Sequence, residues 1–243
     1  MKTINLCGLA AVSARWRQNP DSIERLFFDY DTGRKVGDMT KAMARMRKVY
    51  RCVENEELEK VAGSIHHGGI IAVVNAPELV GPTRSDPRAW AAARAPIVIL
   101  DRIGNAHNLG AIVRTAAFYG VKHIIIPDTP EAARPNDAAY RVAEGGFESV
   151  QVWLPYNMVP LVEDLAAAGY EVVAASTRDG HGRTDDIKPG RPIAIVLGNE
   201  ERGVSDELAR VCTRRVTLPG TGNVESLNVS VAGAILMDRL LAR

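Results

Sequence analysis

The sequence predicts an α/β protein: a small α/β unit, then a parallel sheet with helices on both faces. Two observations predict it. From Pro96 onward, short apolar runs alternate with amphipathic segments, the pattern of βαβ units whose sheet is covered on both sides. Between residues 76 and 94, Pro77, Gly81, Pro82 and Pro87 interrupt any sustained period, so the chain divides there. The expected units are 1–80, a linker at 81–95, and 96–243.

In the first unit, residues 4–8 open the fold and 9–17 form a helix. The run IERLFF at 23–28 reads as a strand. Over 38–49, Met39, Met43, Met46 and Val49 recur at helical spacing. Residues 56–62 make another short helix, and GIIAVVN at 69–75 is a buried strand. The break ends in an Ala-rich stretch, 89–95, long enough for a helical turn. Beyond it, strands are expected at 97–101, 123–127, 150–153, 171–176, 193–198 and 215–219. Helices are expected at 109–119, 137–143, 158–168, 206–212 and 226–241. In open parallel sheets ligands sit at the carboxyl ends of the strands.

Composition bounds the function classes. The 243 residues are 46% hydrophobic and 24% charged, ordinary for a globular chain, and the formal charge is only +1. Any nucleic-acid contact must therefore come from local clusters of basic residues. Cys7, Cys52 and Cys212 are too few and too scattered for a disulfide framework or a zinc site, which fits a reducing cytoplasm. The opening apolar run is soon broken by Arg15 and Arg17, short of a signal peptide's core. No stretch reaches the roughly 18 apolar residues of a membrane span.

Three segments put glycines and polar side chains directly after a buried strand. The first follows IVILD and contains Asn108, suited to capping the next helix, and Arg114, one or two turns inside it. A guanidinium there offers a phosphate the planar fork that lysine lacks. The second is Leu197-Gly198-Asn199-Glu200 leading to Gly203 and Ser205, with Gly198 allowing a ligand close to the backbone and Ser205 as an N-cap. The third runs from Leu218 through a glycine-rich turn to Ser226-Leu227-Asn228, a hydroxyl and an amide beside unpaired backbone N–H groups. Singly, each is common in α/β proteins, and none fits a nucleotide-phosphate loop.

In this order, N-x-G-x-x-x-R, L-G-N-E-x-x-G-V-S and L-P-G-x-x-x-x-E-S-L-N-V-S-V-A resemble the three motifs of the SpoU (TrmH-like) methyltransferases of the SPOUT class. The resemblance covers 96–243, and R-V-A-E-G-G-F-E at 141–148 resembles a further family segment. Residues 1 to about 80 look like the family's N-terminal RNA-binding extension, an α/β/α sandwich. The resemblance implies a deep C-terminal trefoil knot, a homodimer with its active site near the subunit interface, and methyl transfer from S-adenosylmethionine to a ribose 2′-hydroxyl of tRNA or rRNA. It assigns Asn108, Arg114, Glu200, Ser226 and Asn228 to function, and Leu197, Gly198, Leu218, Ser226, Leu227 and Asn228 to the cofactor. Arg114 then either takes the hydroxyl proton or stays charged, anchoring phosphate and stabilising the oxyanion.

Other features are read more plainly. His66-His67 lacks partners spaced for a metal. Arg34, Lys35, Lys41, Arg45, Arg47, Lys48 and Arg51 form the densest basic run, a candidate phosphate-contacting patch with Tyr50 beside it to stack on a base. A solvated helix face is the plainer reading of that run. A non-catalytic RNA-binding relative and a dinucleotide-dependent enzyme are the competing functions.

Overall fold

The computed structural model describes residues 3–176, 182–187 and 190–242. The chain first builds a 4-stranded sheet from β1 (Thr3–Cys7), β2 (Ile23–Phe28), β3 (Val49–Cys52) and β4 (Ile70–Asn75), in the order β1-β4-β2-β3. The central β4 is antiparallel to β1 and β2, and β3 lies parallel to β2 at one edge. Side chains alternate across a strand. Ile70, Ala72 and Val74 therefore share one cluster with Val12 of α1 (Leu9–Gln18) and Met43 of α3 (Gly37–Arg45). Ile71 and Val73 share the opposite cluster with Leu58 and Ala62 of α4 (Asn55–Ala62). A single turn, α2 (Tyr30–Gly33), follows β2, capped by the Asp29 carboxylate.

One expectation fails here. The helical spacing over 38–49 does not extend to Val49: α3 ends at Arg45, Arg47 takes φ 57°, and Val49 begins β3. All four β3 residues are exposed, and VYRC lacks the apolar–polar alternation of a half-buried strand.

The chain then builds a 6-stranded, wholly parallel sheet: β5 (Ile97–Asp101), β6 (His123–Ile125), β7 (Gln151–Trp153), β8 (Glu171–Ser176), β9 (Ile193–Gly198) and β10 (Arg214–Thr217), in the order β10-β8-β9-β5-β6-β7. One face packs on α6 (Ala106–Phe118), α7 (Asp137–Ala143) and α10 (Val229–Leu241), where Leu100, Ile124 and Leu197 meet Ile112, Ala139 and Leu236. The other packs on α5 (Asp86–Ala92), α8 (Met158–Ala167) and α9 (Asp206–Val211), where Ile99 and Val196 meet Trp90, Leu165 and Leu208. Residues 81–95, expected as a linker, thus include a packed helix. Pro87 sits in its first turn, where a missing N–H is harmless, and Trp90 stacks on His123 at 4.5 Å. Among the described residues no helix is long and apolar enough to cross a membrane.

The two sheets are joined through the segment around α7. The Asn5 N–H donates to Asp137 Oδ1 at 3.1 Å. Arg15 Nη2 pairs with Glu148 Oε1 at 2.9 Å, the two side chains only 10% and 6% exposed. Burial pushes the Glu148 carboxyl above its ordinary 4.5, and the Arg15 guanidinium only partly opposes this. The folded state therefore favours the protonated form. That contribution to stability is full below 4.5 and is lost as pH rises through the raised value. Arg15→Ala strands a buried carboxylate and should lower unfolding free energy by about 3–5 kcal/mol. Glu148→Gln strands the buried Arg15 guanidinium instead and should cost a comparable amount, while flattening the stability profile just above pH 4.5; denaturant titrations across pH measure both.

Candidate active site

The carboxyl ends of β5 and β9 lie side by side, with Asp101 opposite Gly198. A Cβ at Gly198 would fall 2.1 Å from the Gly203 carbonyl carbon and the Val204 nitrogen, so only glycine lets the chain double back there. The loop closes on itself. The Asn199 N–H donates to Gly203 O at 3.1 Å, and the Gly203 N–H returns to Asn199 O at 2.8 Å. Inside it, Asn199 Oδ1 accepts the N–H groups of Glu201 and Arg202, and its Nδ2 donates to Arg102 O at 3.0 Å. The buried Asp101 carboxylate accepts the Ser205 N–H at 2.6 Å, so Ser205 is held through its backbone, and its hydroxyl makes no capping bond. Two strand ends and one loop are thereby locked together, with Glu200 presented on the surface.

A directional chain of side chains converges on Glu200. Asn228 caps α10, its Oδ1 accepting the Ser230 N–H at 2.9 Å and the Ser230 hydroxyl at 2.6 Å. Its Nδ2 is left to donate to Asn108 Oδ1 at 3.1 Å. The Asn108 Nδ2 then donates to Glu200 Oε1. Each amide uses its oxygen on one side and its nitrogen on the other. Two helix starts are corrected here. Asn105, not Asn108, caps α6, accepting the N–H groups of His107 and Asn108, which moves the helix back to Ala106. Asn108 is left free to bridge. Likewise α10 starts at Val229, so Ser226 and Leu227 precede it and are exposed.

Arg114 does not join this chain. It lies six residues beyond Asn108 on α6, and its Nη1 pairs with Glu144 Oε1 at 2.9 Å. Leu197 is buried beneath α10, where a Cβ at Gly233 would come within 2.8 Å of its Cδ1. Leu218 is half-buried and opens a run, 219–227, that makes no backbone hydrogen bond among the described residues. Separately, the carboxyl ends of β5, β6 and β7 surround an open cleft of about 620 Å³ with Arg102, Tyr156 and Arg202 on its wall. None of the residues expected in the site lines it.

Of the basic run, Arg34, Lys35, Lys41, Arg45 and Arg51 are exposed. Lys48 turns inward, pairing with Glu24 at 3.6 Å and donating to Asp21 O. Arg34 lies over the Tyr30 ring, and Tyr50 is exposed on β3. His67 is buried, its Nδ1 accepting the Gly69 N–H, and His66 is exposed. No group of three metal-ligating side chains occurs among the described residues. Sequence reasoning missed Asn105, Asp101 and Glu144. An asparagine preceding a helical run is a signal for the first, whereas the partners of the other two are brought close only by the fold.

Fold and site define a class: a parallel α/β protein whose polar centre is assembled from the turns after β5, β9 and β10. The chain belongs to the SpoU rRNA Methylase family, whose profile matches residues 95–238. A second profile, RNA 2′-O ribose methyltransferase substrate binding, matches residues 6–80. The chain is similar to the uncharacterized tRNA/rRNA methyltransferase YfiF of Escherichia coli O157:H7, at 34% identity over 95% of this chain and 65% of that protein. It thus spans just under two thirds of that relative's length. The 23S rRNA (guanosine-2′-O-)-methyltransferase RlmB of Nitrosomonas europaea is 29% identical over 95% of this chain and 88% of its own. Among solved structures, the S-adenosylmethionine-bound rRNA methyltransferase of Sinorhizobium meliloti shares the fold, with a TM-score of 0.77 at 21% identity over 98% of this chain and 86% of that one.

Gly198→Ala should destabilise the protein by about 1–3 kcal/mol or more, because a methyl group there has only backbone to displace. Ser226→Ala, at an exposed position, should change stability by less than about 0.5 kcal/mol. Denaturant unfolding of both variants tests whether the 199–203 loop is as tightly closed as its geometry implies.

Proposed function

We propose that this chain transfers a methyl group from S-adenosylmethionine to a ribose 2′-hydroxyl of tRNA or rRNA. The observation that carries the reading is the hydrogen-bonded chain Glu200–Asn108–Asn228, which ties the three motif segments into one site. The residues present suit S-adenosylmethionine. The unbonded backbone groups of 219–227 and the bare Cα of Gly198 offer a surface for a ligand held by main-chain contacts. Leu197, Gly198, Leu218, Ser226, Leu227 and Asn228 would hold it. When bound, it supplies a sulfonium methyl as the electrophile.

The chain's own contribution is alignment and charge. Asn108 and Glu200 would fix the loops on which donor and acceptor have to be aligned. Arginine holds its proton far above neutral pH and is a poor proton acceptor near neutrality. Arg114 therefore acts as a cation, anchoring an RNA phosphate and stabilising the oxyanion as it forms, and the hydroxyl proton passes to solvent. Arg34, Lys35, Lys41, Arg45 and Arg51 steer the RNA backbone, and Lys48 takes part only by leaving Glu24. Residues 1–80 act as the substrate-binding domain and 96–243 as the catalytic domain.

Two further features complete the reading. The chain leaves β9 for β10 beyond β8, then returns to lay α10 against β9 and α6, a route that supports a C-terminal trefoil knot. Phe118 is 82% exposed one turn beyond Arg114 on α6, and Val231 is 47% exposed on α10. A second copy covering this apolar surface would make a homodimer with Arg114 at the subunit boundary. The thiols Cys7, Cys52 and Cys212 are all unpaired, which supports the cytoplasm as the compartment.

Purified protein should transfer radiolabelled methyl groups to RNA from cells lacking the gene, and nuclease digestion should yield a 2′-O-methylnucleoside. Arg114→Lys should lower turnover about 10²-fold, the scale of losing one oriented oxyanion donor. Near-normal turnover would mean that a point charge suffices. Phe118→Asp should sediment as a monomer, whereas the unaltered chain sediments as a dimer.

A further inference from the structure

The guanidinium assigned to the substrate has a competitor within the chain. Arg114 and Glu144 form their ion pair at the surface, with side chains 57% and 52% exposed. Such a pair is screened by water and weak. Its position is nevertheless enforced by the backbone. Glu144 ends α7 with φ 45°, a left-handed conformation that penalises any residue with a Cβ and falls to glycine or asparagine far more often than to glutamate. Gly145 follows at φ 90°, and at Gly146 a Cβ would lie 3.1 Å from Arg114 Cα and from Val113 O. The turn is thus pressed directly onto α6 at Arg114. Its other side is fixed to the small sheet: a Cβ at Gly145 would lie 3.0 Å from Ala14 Cβ, and Glu148 holds the buried Arg15. Helices commonly end in this conformation, usually on glycine; here the packed turn holds a glutamate in it and so fixes a carboxylate beside Arg114.

We propose that Glu144 is a positioning and specificity-determining residue that competes with RNA phosphate for Arg114. The inference rests on the methyl-transfer reading, which supplies Arg114's role. An RNA that delivers a phosphate to the guanidinium in bidentate geometry displaces the carboxylate, because two parallel charge-assisted bonds outmatch one exposed pair. An RNA that approaches in another register meets a neutralised guanidinium and a repelling carboxylate. Glu144 thereby suppresses reaction on mismatched RNA at a modest loss of affinity for the correct one. Because the turn carrying Glu144 is anchored by Arg15, the docked N-terminal sheet sets where the carboxylate stands.

The test compares the full-length chain with Glu144→Gln and with Glu144→Gly, whose left-handed φ suits glycine and so keeps the turn. Methyl transfer to RNA from cells lacking the gene should show KM for RNA falling about three- to fivefold in both variants, the span of a weak exposed ion pair. The gain should lie in KM, not kcat, and methylation of poly(U) should rise relative to the cellular RNA. A KM that stays the same, or a kcat that falls, overturns the proposal, the latter by giving Glu144 a part in the chemistry. Filter binding of poly(U) at several salt concentrations reads the same competition without turnover. Both variants should bind more tightly, with a log–log salt slope steeper by up to about 0.7, one single-strand phosphate contact; an unchanged slope and affinity count against it. Should the unaltered chain methylate no RNA, the methyl-transfer reading falls, and the binding arm still decides whether Glu144 competes with phosphate.

Discussion

Asn108 donates to Glu200 and accepts from Asn228, and through this one side chain three turns become a single site. The partners stand 92 and 120 residues away in the sequence. Neither bond is worth much to stability, since a typical hydrogen bond contributes about 0.5–1.5 kcal/mol net and these lie near the surface. Their effect is geometric. Because Asn228 spends its oxygen on the first turn of α10, its nitrogen must face Asn108, and the Asn108 nitrogen must then face the carboxylate. Reversing any one amide would leave donors facing donors.

That arrangement depends on backbone packed too closely for side chains. Gly198 lets Gly203 and Val204 fold back against the end of β9, and Gly233 lets α10 settle onto Leu197. Asp101, at the end of β5, accepts the Ser205 N–H and so ties the neighbouring strand to the same loop. The parallel sheet sets the separation of the strand ends, and the glycines and the buried carboxylate convert that separation into a fixed constellation. The apolar cores on the two faces of the sheet supply the stability, leaving polar residues at its carboxyl edge free to serve chemistry.

Much of this was legible in the sequence because the signals were strong and local. Strands β8 and β9 were expected with the bounds observed, being apolar runs that end at polar or glycine residues. Hydrogen bonds join Glu200, Asn108 and Asn228, one residue from each of the three motif segments. What escaped notice had physical reasons. Strand β3 is an exposed edge, stabilised by pairing with β2 rather than by burial, so it leaves no alternation to read. The start of α6 was misjudged because Asn105 and Asn108 are equally good caps, and only the structure reveals that Asn108 is engaged elsewhere. Proline reads as a breaker in a sequence, whereas Pro87 sits in the first turn of α5. The ion pairs Arg114–Glu144 and Arg15–Glu148 join elements distant in the chain, and no periodicity encodes them. The basic run was visible as charge, whereas the inward turn of Lys48 toward Glu24 was not.

The turns after β5, β9 and β10 are proposed to enclose one methyl donor. Backbone hydrogen exchange followed by mass spectrometry, with and without S-adenosylmethionine, examines it directly, because 219–227 makes no backbone hydrogen bond of its own among the described residues. Protection should appear on adding the donor in peptides covering 197–203 and 218–228, while the β1–β4 sheet exchanges as before. Exchange unaltered in those two segments, or protection confined to the cleft beside Tyr156, would contradict the account.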